Sequence, residues 1–162
     1  MFRKMRRFKQ ELSLEETNKI LIKGTSGVLA LHGDNNYPYA VPLSYVYDNE
    51  YIYFHCALDG HKLDAIKNND KCSFCVIYED NVLPEKFTTL FKSVICFGKI
   101  KILDKKEDKI NVLNLLSEKY SPAVSLDARK EEIEKFLEKT CILALNIEHI
   151  TGKQCIELVP KE

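Results

Sequence analysis

No stretch of this 162-residue chain comes near the roughly 20 consecutive apolar residues that a membrane-crossing helix needs. A secretory signal is lacking as well, because the basic start is followed by Gln10-Glu11-Leu12-Ser13-Leu14-Glu15-Glu16 and not by an apolar run. Both absences point to the cytoplasm and away from a membrane. There is also no net charge: 24 Lys and Arg are cancelled by 24 Asp and Glu. Without a broad positive field to gather a polyanion, general nucleic-acid binding is disfavoured. The local signatures of several catalytic classes are missing too, namely Gly-x-Ser-x-Gly, the Walker phosphate loop, Gly-x-Gly-x-x-Gly and His-Glu-x-x-His. Function must therefore come from a site assembled in space.

What is present is enough for a real core, since 45% of the residues are apolar. One domain over residues 1–162 is expected, with a helical insertion at about 104–139. Arg3, Lys4, Arg6, Arg7 and Lys9 form a basic start that reads as a solvated arm. Six cysteines, at 56, 72, 75, 96, 141 and 155, lie in apolar, strand-like runs of a chain without an export signal, which favours buried free thiols over a disulfide framework. Cys72-Ser73-Phe74-Cys75 has the spacing of a metal knuckle. On a strand, however, residues three apart point to opposite faces, and no second close pair supplies further ligands, so no metal is expected.

Periodicity and turn residues predict a helix over Leu14–Lys23 capped by Ser13, then strands at Val28–His32, Tyr39–Tyr47 and Tyr51–Cys56. A short helix follows at Leu63–Asn69, then strands at Lys71–Tyr78 and Lys92–Leu103, with Glu79–Thr89 as a loop between them. Ser121-Pro122 divides the helical region, and Cys141–Ile150 and Lys153–Val159 read as closing strands separated by Gly152. The fold class is mainly β with flanking helices (α+β). Short, turn-separated strands predict an antiparallel sheet or small barrel and not βαβ units.

Two local features bear on chemistry. Gly60-His61-Lys62 places two basic side chains in the first turn of a helix, where the macrodipole favours acids. A bound phosphate would resolve that conflict. The alternative is that Asp59 caps the helix and both bases point into water. The second feature is Pro42 inside the alternating strand Tyr39-Ala40-Val41-Pro42-Leu43-Ser44-Tyr45-Val46-Tyr47, where proline belongs on an edge or a bulge. Free backbone groups beside Ser44 would suit the polar rim of a flat heterocycle. Equally, the proline would only blunt an edge and the tyrosines would be core.

In order along the chain, Tyr37-Pro38-Tyr39-Ala40-Val41-Pro42-Leu43-Ser44-Tyr45, Tyr51-Ile52-Tyr53-Phe54-His55-Cys56-Ala57, Gly60-His61-Lys62-Leu63 and Lys92-Ser93-Val94-Ile95-Cys96-Phe97-Gly98 resemble the flavin-binding split β-barrel family related to pyridoxamine 5′-phosphate oxidase, and within it the 5-nitroimidazole resistance (Nim-like) proteins. The resemblance implies a six-stranded antiparallel split β-barrel and a homodimer with FMN bound in grooves shared by the two copies. It would place Val41, Pro42, Leu43, Ser44 and Tyr45 along the isoalloxazine, His55 and Cys56 beside the ribityl chain or ring, and Gly60, His61 and Lys62 on the phosphate. Ser93 and Val94 would complete the site, from the partner subunit in one arrangement. Two positions depart from relatives: His61 stands where Arg is frequent, and Cys56 where Gly is frequent. No second basic cluster marks a vitamin B6 phosphate substrate.

The function so implied is an FMN-dependent reductase of a small aromatic or nitro compound fed by NAD(P)H, with His55 as proton donor or substrate contact. The alternatives are a flavin-binding stress protein without turnover and a split barrel that binds haem or another tetrapyrrole through a histidine. His32 and His149 are expected to serve local polar needs.

Overall fold

The computed structural model describes residues 1–160, so the last two residues of the expected domain lie outside the described residues. The chain opens on helix α1 (Leu14–Lys23), whose start is a capping box: Ser13 accepts from the Glu16 amide, and the Glu16 carboxylate accepts from the Ser13 amide. Its inner stripe, Thr17, Ile20 and Leu21, is buried against the sheet. Strands β1 (Ser26–His32), β2 (Pro38–Ser44), β3 (Val46–Asp48) and β4 (Tyr51–Cys56) follow. Next come helix α2 (His61–Asn68), strands β5 (Lys71–Leu83) and β6 (Thr88–Leu103), helices α3 (Lys106–Tyr120) and α4 (Leu126–Phe136), and strand β7 (Cys141–Gln154).

All strand pairs are antiparallel, in the spatial order β2-β1-β5-β6-β7-β4-β3. The sheet curls round one core. Tyr45, Phe54 and Phe74 are fully buried at its centre, and Phe74 meets each of the other two edge to face with ring centroids 5.0 Å apart. Leu21, Leu29, Ile52, Val76, Val94, Ile100, Leu143 and Leu145 fill the space around them. A second, smaller cluster joins Val112 and Leu116 of α3 to Val46 and Ile142 on the opposite face of the sheet.

The architecture corrects the expected one in five places. Among the described residues seven strands are present and not six, and the sheet they form is not closed. The expected strand Tyr39–Tyr47 breaks at Tyr45, so that β2 pairs only with β1 and β3 only with β4. These two edge strands are consecutive in the chain and joined by Tyr45 alone. The cause of the break is Tyr120, at the end of α3. Its hydroxyl accepts from the Tyr45 amide at 2.9 Å and shares its one proton between the carbonyls of Tyr45, at 2.7 Å, and Thr25. A side chain thus does at this seam what a neighbouring strand does elsewhere.

The other three corrections are local. The expected loop Glu79–Thr89 is instead the outer part of a long hairpin, because Asp80–Leu83 pairs with Thr88–Phe91 round the turn at Pro84. Gly152 does not separate two strands. Strand β7 runs through it, and the glycine is required by close packing, since a Cβ there would fall 2.2 Å from the Thr17 hydroxyl. The residues after Gln154 form a short 3-10 turn at Ile156–Leu158 in place of a strand.

Candidate functional site

Helix α2 begins unusually. Its N-cap is Gly60, at φ 121°, a left-handed conformation that side-chain-bearing residues avoid. An added Cβ there would meet no described atom within 4 Å, so the space beside the turn is open. Among the described residues no side chain caps the helix, Asp59 included, which removes the purely structural reading of that acid. The Gly60 carbonyl takes the amides of Leu63 and Asp64 at 2.9 and 3.3 Å, and the amides before them point out of the helix start. His61 and Lys62 flank this opening. The His61 ring stacks on Tyr39 with centroids 4.2 Å apart, and its Nε2 lies 3.6 Å from the Asp34 carboxylate. Dipole, free amides, a glycine and two basic residues in the first turn therefore lie together at this helix start, the chemistry that suits an anion.

Strand β2 leads away from it. As an edge strand it leaves one row of backbone groups unpaired by the sheet, and it is here that Pro42 is tolerated. Pro42 and Ser44 are exposed, whereas Val41 and Leu43 turn their side chains toward the core. Five residue steps of strand carry the chain from Tyr39, beside this helix start, to Ser44, roughly 17 Å at the usual rise. An elongated ligand would be needed to touch both. Tyr45 does not join them: its side chain is in the core with its hydroxyl donating to the Leu21 carbonyl at 2.9 Å, and its backbone polar groups belong to Tyr120.

On β4, His55 is exposed and points to the side opposite Phe54. Cys56 is the last residue of that strand, half-buried, and burial pushes its thiol up while the nearby Lys62 ammonium pulls it back. Ser93 and Val94 do not meet this helix start within one chain, because β1 and β5 stand between β2 and β6 in the sheet. Val94 is fully buried in the core, while Ser93 lies on the outer face.

That outer face is apolar over four strands. The register aligns Pro42, Val28, Cys75 and Ile95 in one row and Ala40, Ala30, Ser73 and Phe97 in the next. Ile95 and Phe97 remain 39% and 38% exposed, and Ile77 66%, which is more than scattered surface residues explain. On β7, His149 is stacked under Phe2 of the basic arm, ring centroids 4.6 Å apart. Cys72 and Cys75 do point to opposite faces of β5, the first into the core.

Three contacts at these places are not visible in the motifs. Tyr39 and Asp34 hold His61 across a turn and a strand, and Tyr120 reaches Tyr45 from 75 residues away. The only sequence signal for the first two is their position in the turn and strand that flank Pro38. Tyr120 carries none.

A family model described as pyridoxamine 5′-phosphate oxidase matches residues 13–154. Among solved structures, a candidate 5-nitroimidazole antibiotic resistance protein from Bacteroides thetaiotaomicron superposes with a TM-score of 0.76 at 16% identity, over 89% of this chain and 86% of that one. An FAD-binding protein from Mesorhizobium loti gives 0.64 at 24% identity, over 90% and 97%. The FAD and haem binding protein from Mycobacterium smegmatis gives 0.76 at 20%, over 95% and 77%. At these identities the likeness shows the fold. No curated protein sequence matches, and among the described residues no helix is long and apolar enough to cross a membrane.

Proposed function

We propose that this chain, which belongs to the pyridoxamine 5′-phosphate oxidase family, binds FMN from the Gly60–Lys62 cradle along the edge of β2 and acts as a reductase of small nitroaromatic compounds of the nitroimidazole kind. The single observation that carries the reading is the start of α2: a glycine at φ 121°, no cap among the described residues, open space beside it, and two basic side chains where the dipole favours an anion. The flavin-binding neighbours named above support the choice of cofactor class.

In this reading Lys62 and His61 pair with the phosphate, and the first-turn amides of α2 donate to its oxygens. The exposed backbone edge of β2 and the Ser44 hydroxyl hydrogen-bond the polar rim of the ring system. Bound flavin would supply hydride or electron transfer, drawing on NAD(P)H. His55 then offers an exposed imidazole as the proton donor to the reduced substrate. Water exclusion falls to a second copy of the chain laid on the apolar outer face, where Ile77, Ile95 and Phe97 are exposed. That copy also brings Ser93 toward the groove. A reducing compartment, the cytoplasm, suits six free thiols.

The test begins with the absorption spectrum of the purified protein and its titration with FMN, followed by anaerobic addition of NAD(P)H and metronidazole. A flavin spectrum, bleaching by donor and recovery with the nitro compound are expected. A protein that takes up no FMN overturns the cofactor reading, and a Soret band in its place points to haem. Bound flavin that never changes redox state overturns the reductase reading alone.

A further inference from the structure

Cys56 ends β4 and Cys141 begins β7, and the antiparallel register sets them directly opposite one another. The bond from the Ile147 amide to the Glu50 carbonyl fixes the alternation along this ladder. Counting inward from it in steps of two makes 52–145, 54–143 and 56–141 the hydrogen-bonded pairs. In such a pair the Cα atoms stand about 5.5 Å apart, inside the roughly 4.4–6.8 Å that a disulfide spans. The Cys141 thiol faces the Ile142 carbonyl at 4.0 Å, and closing a bond to Cys56 turns it across the ladder. Both residues are terminal in their strands, so the small rotation that closes a cystine disturbs one rung and no more.

We propose that Cys56 and Cys141 are a reversible dithiol–disulfide site that reacts with low-molecular-weight disulfides. Cys56 is the entry point. It is half-exposed and has an ammonium beside it, whereas Cys141 is buried and its thiol is pushed up to about 11 by burial and by Cys56. The Cys56 thiolate attacks one sulfur of the small disulfide, whose S–S bond breaks and whose other half leaves and takes up a proton. Cys141, having given up its proton, then attacks Sγ of Cys56 in the mixed disulfide. A protein S–S bond forms and the second small thiol departs. The protein has lost two electrons and two protons, and the small disulfide has gained them.

The other cysteines do not compete. Cys72 and Cys96 are diagonal neighbours in the core, closed to a reagent and pushed up to about 12 by burial. Cys155 is buried. Cys75 is half-exposed on the outer face, but its register partners are Val28 and Ile95, so a mixed disulfide formed there has no thiol opposite to resolve it. Because Cys56 leads into the Gly60 turn and Cys141 follows the helical hairpin, the cystine clamps together the two segments that enter the sheet at this corner.

The experiment incubates the folded, full-length protein with glutathione disulfide over a range of glutathione ratios, quenches by acid, alkylates, and maps peptides by mass. The expected product is a peptide pair linked through Cys56 and Cys141, lighter by two hydrogens than the reduced pair and restored by dithiothreitol. Cys141→Ser should stop at a glutathione adduct held on Cys56, and Cys56→Ser should leave Cys141 alkylated. A stable glutathione adduct on Cys56 in the unaltered protein overturns the proposal. So does retention of both thiols at every ratio, or a cystine between any other pair. None of these readouts needs a flavin, so the outcome is separate from that of the cofactor reading.

Discussion

The seam at Tyr45 and the start of α2 pose the same problem, backbone polar groups that no strand or helix partner takes, and they answer it differently. At the seam the chain supplies everything: Tyr120 takes the amide and carbonyl of Tyr45, and Lys119 lies 4.2 Å over the Tyr45 ring while donating to the Gly24 carbonyl at 2.6 Å. At α2 the described residues supply no cap, and two basic residues, His61 and Lys62, stand in the first turn beside the open amides. A gap that the protein closes with its own side chains is architecture. A gap left open beside two basic residues is where the proposed phosphate would take donors that otherwise meet water.

That contrast can be broken experimentally. The largest effect is expected from Tyr45→Ala, which empties a fully buried aromatic site and should cost about 3–5 kcal/mol in denaturant unfolding. Next, His61→Ala with Lys62→Ala should leave unfolding within about 0.5 kcal/mol. The same pair should weaken FMN by about 100-fold or more, since two charge-assisted hydrogen bonds are lost at about 1.5–3 kcal/mol each. Equal FMN affinity in titration would erase the distinction between the two gaps. Tyr120→Phe keeps the ring and removes the hydroxyl, so a loss of about 1–3 kcal/mol in stability with unchanged FMN affinity is expected.

pH sharpens the comparison further. Burial lowers Lys119 to about 8 from its ordinary 10.5. Between those values the unfolded chain holds a proton that the folded one has released, so this residue's contribution to stability rises with pH and is least below 8. The core thiols act oppositely. Cys72 and Cys96 are pushed up to about 12 from 9, so above pH 9 the unfolded chain loses protons that the fold retains, and each thiol lowers stability by about 1.4 kcal/mol per pH unit. Unfolding midpoints between pH 8 and 11 should therefore decline above 9, less steeply in Cys96→Ala and more steeply in Lys119→Met. The smallest expected effect is that of Asp34→Asn. Freeing His61 from an exposed acid should tighten FMN by less than about fivefold, an exposed pair being worth about 0.2–1 kcal/mol.

Much of this was legible in the residues, and what was not has a physical reason. Helix α1 is written locally, in Ser13, Glu16 and the apolar spacing of Ile20 and Leu21, and it appears with its expected ends. The Gly60 turn was legible for the same reason: a glycine and two misplaced bases lie next to one another. The break at Tyr45 was not, because the hydroxyl that causes it belongs to a different element. Glu79-Asp80-Asn81 read as loop because that stretch of the hairpin is largely exposed and shows no apolar alternation. Gly152 read as a break because a glycine forced by a neighbour's approach looks in sequence like one forced by a turn. Tyr39 beside His61 is a contact between elements, and no spacing rule reaches it.

The placement of the seam also bears on the order in which the fold is made. Strands β1, β2, β5 and β6 pair among themselves, so that half of the sheet is complete once residue 103 has been synthesised. Strands β3 and β4 join it only through β7, and Tyr45 finds its hydroxyl only when α3 has been made. During synthesis, therefore, the β3–β4 hairpin is extruded early and waits for roughly half of the chain before β7 joins it to the rest of the sheet. Its apolar residues, Ile52 and Phe54 among them, stay without their β7 partners for that interval.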